Sequence, residues 1–299
     1  LDDYNGYRLR WFDRWLKGID NGVDGDKPVR LFTMGGGTSR KGLNGKLQHG
    51  GSWHDVDAWP LAGTQYAPYH VHADGTLSTT KPEPSQPTCY TYDPRDPVPT
   101  MGGGVSAAND IMPPGGFDQR GDERFYGCQD TLPVAARSDV LVFQTAELDE
   151  PIEVTGPITV RLWAASSAID TDFTAKLIDV HPANADYPDG FSQNISDSII
   201  RARYRNSRNT PEMLRPGQIT PFNIVLYPTS NLFGRGHRIR LDISSSNFPR
   251  FDINPNTGGE LGQDRRVQLA QQAVYHDPEH PTHVVLPIIP TDPPVDGEQ

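Results

Sequence analysis

The sequence predicts a mainly β chain: one amphipathic helix, then a sandwich of two antiparallel sheets packed face to face. Three observations carry that reading. Glycine (29) and proline (28) are abundant among 299 residues while hydrophobic residues make up 35%, the mix of short strands joined by many turns. Alternating apolar segments recur from Val29 to Ile289, separated by short stretches of Gly, Pro, Asn and Asp. No long helical pattern alternates with them, which argues against a parallel βαβ sheet.

The elements follow in order. Residues 2–17 read as the helix, with Tyr4, Tyr7, Trp11, Phe12, Trp15 and Leu16 at three- and four-residue steps on one broad face. Asp2 and Asp3 suit its N-terminal end, Arg14 and Lys17 its C-terminal end, and Gly18 can stop it. So apolar a face needs a partner surface. The segment "KGIDNGVDGDKP" has the acids of a calcium loop but not its bidentate Glu, and calcium is not expected there. Strand signals then dominate: "VRLFTMG", "QYAPYHVH", "CYTYDP" and "DVLVFQT". In "ITVRLWAAS", Ile158, Val160, Leu162 and Ala164 fall on one face, with Thr159, Arg161 and Trp163 on the other. "DFTAKLIDVHP" repeats this with Phe173, Ala175 and Leu177, and "SIIRARYR", "FNIVLYP", "HRIRLDISS" and "HVVLPII" continue it. Residues 261–272 suggest one short helix. Residues 94–138 are rich in Gly and Pro and lack periodicity; a functional loop and a plain surface connection are both open.

The net charge of −11 disfavours nucleic acid and anionic membranes, which need clustered Lys and Arg, and no apolar run is long enough to span a bilayer. The start at Leu1 reads as a fragment end or a processing point. Cys89 and Cys128 have no CxxC spacing; a disulfide between them and two free thiols are both compatible with the sequence.

Signals for chemistry are sparse. The Gly-x-Ser-x-Gly of an α/β-hydrolase elbow is absent, the nearest string being "GVSAA" around Ser106, and no Ser, His and Asp cluster stands out. His276, His280 and His283, with Glu279 among them, would share a helical face, but Pro278 and Pro281 break a helix there, so no metal is expected. In "SSSNFPRFD", Ser245 continues the inward row Ile239, Leu241, Ile243, while Ser244 and Ser246 face outward. Hydroxyls at a strand end bond neighbouring backbone more often than they act as nucleophiles.

Several strings together carry a resemblance: "RWFDRWLKGIDNG", "PVRLFTMG", "YTYDPRDPVPTMGG", "GPITVRLWAASSAIDTDFTAKLIDVHP", "PTSNLFGRGHRIRLDISSSNFPRFDINPNTGG" and "EHPTHVVLPI". In this order they resemble the C-terminal part of CocE/NonD-type hydrolases, the group of cocaine esterases, α-amino-acid ester hydrolases and X-prolyl dipeptidyl-peptidases. The resemblance implies a jelly-roll sandwich over residues 27–299, with residues 1–26 the last helix and exit of an α/β-hydrolase domain. The family's Ser-Asp-His triad would lie upstream of Leu1, so no catalytic residue is assigned in this chain, and no cofactor is implied. Within the 94–138 loop, Val105, Ser106, Ala107 and Ala108 would form the lip of the substrate pocket. The implied partners are the upstream hydrolase domain, a small acyl ester, amide or peptide substrate, and in some cases a second copy of the chain. The implied setting is a soluble bacterial protein, cytoplasmic or secreted. A rival expectation is a free-standing jelly-roll module that binds carbohydrate on Trp53, Trp59 and Trp163.

Overall fold

The computed structural model describes residues 3–102, 115–125, 127–128 and 130–290. Helix α1 (Tyr4–Lys17) comes first. The Asp3 carboxylate accepts from the Gly6 N–H at 2.7 Å, and Gly18 closes the last turn in the left-handed region at φ 68°. The acids of the following turn pair with the helix, Asp26 with Arg10 and Asp24 with Arg14.

Among the described residues thirteen strands follow: β1 (Val29–Gly35), β2 (Gly51–Val56), β3 (Gln65–Val71), β4 (Leu77–Ser78), β5 (Thr88–Tyr92), β6 (Leu141–Gln144), β7 (Ile152–Ser166), β8 (Asp172–His181), β9 (Phe191–Arg201), β10 (Thr220–Phe233), β11 (Arg238–Ser244), β12 (Ala270–Tyr275) and β13 (His283–Ile289). Among the described residues they form two sheets. The larger runs β2-β1-β10-β7-β13-β3-β4, with β12 joining β5 to β7, and the smaller runs β6-β11-β8-β9. Pairing is antiparallel as expected, except that β1 and β10 run parallel over a short register at Met34–Asn231 and Gly35–Leu232.

The sandwich core is built from the alternating rows read in the sequence. Ile158, Val160 and Leu162 of β7 and Phe222, Ile224 and Leu226 of β10 face Phe173, Ala175 and Leu177 of β8 and Ile239, Leu241 and Ile243 of β11. Phe173 and Phe222 meet across the sheets with ring centroids 4.9 Å apart. Truncating a buried phenylalanine of this kind costs about 3–5 kcal/mol.

The short helix expected at 261–272 does not form; residues 261–263 make a turn and β12 begins at Ala270. Asp264 explains this. Its carboxylate accepts from the Arg266 backbone N–H at 3.0 Å and from Thr257 Oγ1 at 2.5 Å. A short acidic side chain that bonds backbone two residues on competes with helix formation. The Arg266 guanidinium, which also donates to this carboxylate, together with Thr257 and the Arg266 backbone N–H, holds the carboxyl down at about 2.

Candidate functional site

The outer face of the smaller sheet is the place where the long loop is anchored. Val98, Met101, Val134 and Val140 form a second apolar cluster there, with Val142 of β6 against it. The "SSSN" strand end holds the incoming arm: the Val98 N–H donates to Ser246 Oγ at 2.9 Å, and Thr100 Oγ1 donates to Asn247 Oδ1 at 2.8 Å. Phe248 and the arm exchange backbone bonds, from Phe248 N–H to the Val98 carbonyl at 2.9 Å and from Thr100 N–H to the Phe248 carbonyl at 2.8 Å. The returning arm is tied to the same neck. Gln119 Nε2 donates to the Met101 carbonyl at 3.0 Å, and its backbone N–H donates to the Ser192 carbonyl at 2.9 Å. Gly102 is required at this neck. Its φ is +76°, and a Cβ there would sit 2.4 Å from the Phe117 ring.

Beneath the neck lies a row of buried charges. Lys176 of β8 is 4% exposed and donates to Gln119 Oε1 at 3.4 Å. Burial pulls its ammonium below the usual lysine range and pushes the neighbouring Asp242 carboxyl up, since the interior disfavours both charged forms. Arg240 pairs with Asp242 at 2.9 Å. Asp197 takes Arg250 on one oxygen and Asn247 Nδ2, at 2.7 Å, on the other. Ser244 and Ser246 do face outward, as the alternation predicts, yet both are buried, because the loop arms cover that face. Ser245 faces the core and bonds Tyr90 at 2.8 Å.

At one end of the sandwich the inner rows change from apolar to polar. Asp179 and His181 continue the parity of Phe173, Ala175 and Leu177, and His237 begins the row of Ile239 and Leu241. His237 Nδ1 lies 2.8 Å from Asp179 Oδ1, and its Nε2 lies 3.3 Å from Ser39 Oγ. Ser39, Asp179, His181 and His237 are all buried. The order of serine, imidazole and carboxylate is that of a catalytic triad. Its environment is not: Ser39 Oγ lies closer to a second ring, His181 Nδ1, at 2.8 Å. Its one hydrogen can serve only one of the two imidazoles at a time, and Ser39 is buried, which sets it apart from an exposed nucleophile. Burial holds the His181 imidazole below its ordinary range.

Helix α1 carries none of its residues in the interior. Trp11 and Trp15 meet at a tilt, ring centroids 5.7 Å apart, on an outer face shared with Tyr4, Tyr7 and Phe12, and Leu16 is 77% exposed. Single exposed hydrophobics are ordinary, but a contiguous aromatic stripe marks an interaction surface.

The model of the X-Pro dipeptidyl-peptidase C-terminal non-catalytic domain matches residues 21–285. The chain belongs to this family. Among its relatives, the chain is 38% identical to cocaine esterase of a Rhodococcus species over 93% of the chain and 45% of that enzyme. It superposes on an α-amino-acid ester hydrolase with a TM-score of 0.73 at 30% identity, covering 94% of the chain and 44% of that structure. An aminopeptidase from a Thaumarchaeota archaeon matches with a TM-score of 0.72 at 28% identity, over 95% of the chain and 43% of that structure. The resemblance to CocE/NonD-type hydrolases is borne out, and the chain spans less than half the length of these relatives.

The residues singled out in the sequence fare differently in the structure. Val105, Ser106, Ala107 and Ala108 lie outside the described residues. Cys89, exposed on β5, and Cys128, half-buried in the loop, stand as free thiols. Burial pushes the Cys128 thiol up. Among the tryptophans, Trp163 packs edge-on against His280 at 5.2 Å, and its strand is separated from that of Trp53 by β1 and β10. They do not form one sugar platform. The three histidines near the C-terminus take separate partners. His276 bonds Ser85 and Thr88, His280 bonds Asp277, and His283 Nδ1 bonds the Pro281 carbonyl. Sequence reading missed the Ser39, Asp179, His181 and His237 cluster. Its signal was titratable residues standing at core parity on two strands.

Proposed function

We propose that this chain serves a serine ester or amide hydrolase as its non-catalytic jelly-roll domain. It packs on an α/β-hydrolase domain through α1 and walls the substrate pocket with the loop after Gly102. The carrying observation is the exposed aromatic stripe of α1, together with a loop neck elsewhere on the domain that is held by buried polar bonds. A helix with no buried residue does not contribute to its own domain's core, so its apolar face is available to another. The neck supplies rigidity where a pocket wall needs it, since Met101, Gln119, Ser246 and Asn247 fix both loop arms on the sheet. Val105, Ser106, Ala107 and Ala108 then form the lip over an acyl ester, amide or peptide substrate. Their small side chains suit a wide acyl pocket. The acyl-enzyme chemistry itself belongs to a serine, histidine and aspartate of the partner domain.

The test uses the intact hydrolase. Trp11→Glu combined with Trp15→Glu is expected to lower its thermal midpoint and its kcat/KM on p-nitrophenyl esters. Unchanged values in both would remove the docking role of α1. Val105→Ala and Ala107→Leu are expected to change the ranking of a series of acyl esters, and an unchanged ranking would remove the lip assignment.

A further inference from the structure

We propose that Asp179, His181 and His237 form a structural divalent metal site of the zinc class, completed by Gln193. The three side chains offer ligand atoms that lie within 4.8 Å of one another, all buried. His237 Nδ1 is 2.8 Å from Asp179 Oδ1, and His181 Nε2 is 3.7 Å from Asp179 Oδ2 and 3.1 Å from Gln193 Oε1. Donors around a tetrahedral zinc stand about 3.3 Å apart, so small side-chain adjustments bring this set onto an ion. Two imidazoles with oxygen donors are a set that zinc and cobalt(II) accept.

The outer nitrogens make the case independently. His181 Nδ1 and His237 Nε2 both face Ser39 Oγ, at 2.8 and 3.3 Å. A hydroxyl oxygen has two lone pairs and can accept an N–H from each ring. In that arrangement both rings turn a lone pair inward, where only the oxygens of Asp179 and Gln193 await them. A cation resolves this convergence of acceptors, and Ser39 is then the outer partner that fixes both tautomers. The His237 ring is also held in place, since a Cβ on Gly234 would come within 2.9 Å of its Nε2. Asn231 Nδ2 donates to Asp179 Oδ2 at 3.3 Å and fixes the carboxylate.

The site would join β8, β9, the β10–β11 turn and the β1–β2 loop, and therefore both sheets. A shallow surface depression is lined by Gly37, Thr38, Gln48 and His49, and the N–H of neighbouring Ser39 donates to the Gln48 carbonyl at 3.3 Å. His49 lines this depression with its Nδ1 buried and without a hydrogen-bond partner. With four protein donors and no exposed ligand atom, the ion would be structural.

The competing arrangement holds protons only: His237 Nδ1–H donates to Asp179 and Ser39 donates to one ring. Cobalt(II) titration of the full chain after chelator dialysis separates the two. Metal binding is expected at about one ion per chain, with the strong visible absorption of a four-coordinate centre, bleached by added zinc. Zinc is expected to raise the thermal midpoint. Ser39→Ala is expected to weaken affinity about 10–100-fold, as outer partners do, and Asp179→Asn to weaken it further, while exposed His54→Ala leaves it unchanged. Should the ligand variants fail to fold, the unmodified chain still decides. No cobalt absorption, together with a thermal midpoint that zinc does not move, would overturn the proposal and leave the protons-only network.

Discussion

Gln119→Met puts the loop neck to a quantitative test. Gln119 is 1% exposed and makes three side-chain bonds: Nε2 donates to the Met101 carbonyl at 3.0 Å and, at the limit of range, to the Phe117 carbonyl at 3.5 Å, and Oε1 accepts from Lys176 Nζ at 3.4 Å. Methionine keeps nearly the same volume, so little cavity is created. The neutral bond to Met101 contributes about 1 kcal/mol, and the bond from a charged donor, at the long end of its range, about 1.5 kcal/mol. The expected loss is therefore about 2–3 kcal/mol, read as a lower urea midpoint at unchanged slope. A second variant sharpens it. Adding Lys176→Met removes the ammonium left without its acceptor, while Asp242 keeps Arg240 and Asp197 keeps Arg250. The double variant should be no less stable than Gln119→Met alone, because breaking a buried polar pair costs more than deleting both members. A loss under about 0.5 kcal/mol for Gln119→Met, within the range of an ordinary surface change, would refute this account of the neck. So would additive losses in the double variant.

Three further outcomes follow from the same coordinates. Gly102→Ala forces a side chain into a left-handed backbone and onto the Phe117 ring, and a loss of stability of the order of 1–3 kcal/mol, read as a lowered thermal midpoint, is expected; an unchanged midpoint would contradict it. Burial holds the His70 and His276 imidazoles below their ordinary value, so the unfolded chain takes up protons near pH 6.5 that the folded chain refuses. Their contribution is present above that pH and is lost as pH falls, so thermal stability should drop from pH 7 to pH 5 and His276→Asn should flatten the slope. A flat profile in the unmodified chain would count against it. Two thiols should titrate in the unreduced, denatured chain, with exposed Cys89 reacting before Cys128 in the native one; no titratable thiol would mean a disulfide.

The core was legible because period-two alternation has a single solution in a half-buried strand. Ile158, Val160 and Leu162 read as one face, and all lie in the core. The parallel β1–β10 contact was not legible, since alternation carries no strand direction. The false helix at 261–272 came from composition, which says nothing of the bonds Asp264 makes to Arg266 and Thr257. Ser244 and Ser246 were placed on the correct face, but their burial depended on a distant loop folding over them. The polar cluster needed residues 39, 179 and 237 brought together, and no local motif encodes that. What the sequence did hold was the oddity of Asp179, His181 and His237 standing where apolar residues belong.

The central claim is that this domain shapes and supports a hydrolase without doing its chemistry. Ser39 makes the claim vulnerable, for it stands 3.3 Å from a histidine that is itself 2.8 Å from an aspartate. The direct measurement is intact mass of the isolated chain after incubation with a fluorophosphonate, alongside turnover of p-nitrophenyl acetate. The account predicts no added mass and no turnover above background. A stoichiometric adduct on Ser39, with turnover that it abolishes, would contradict it.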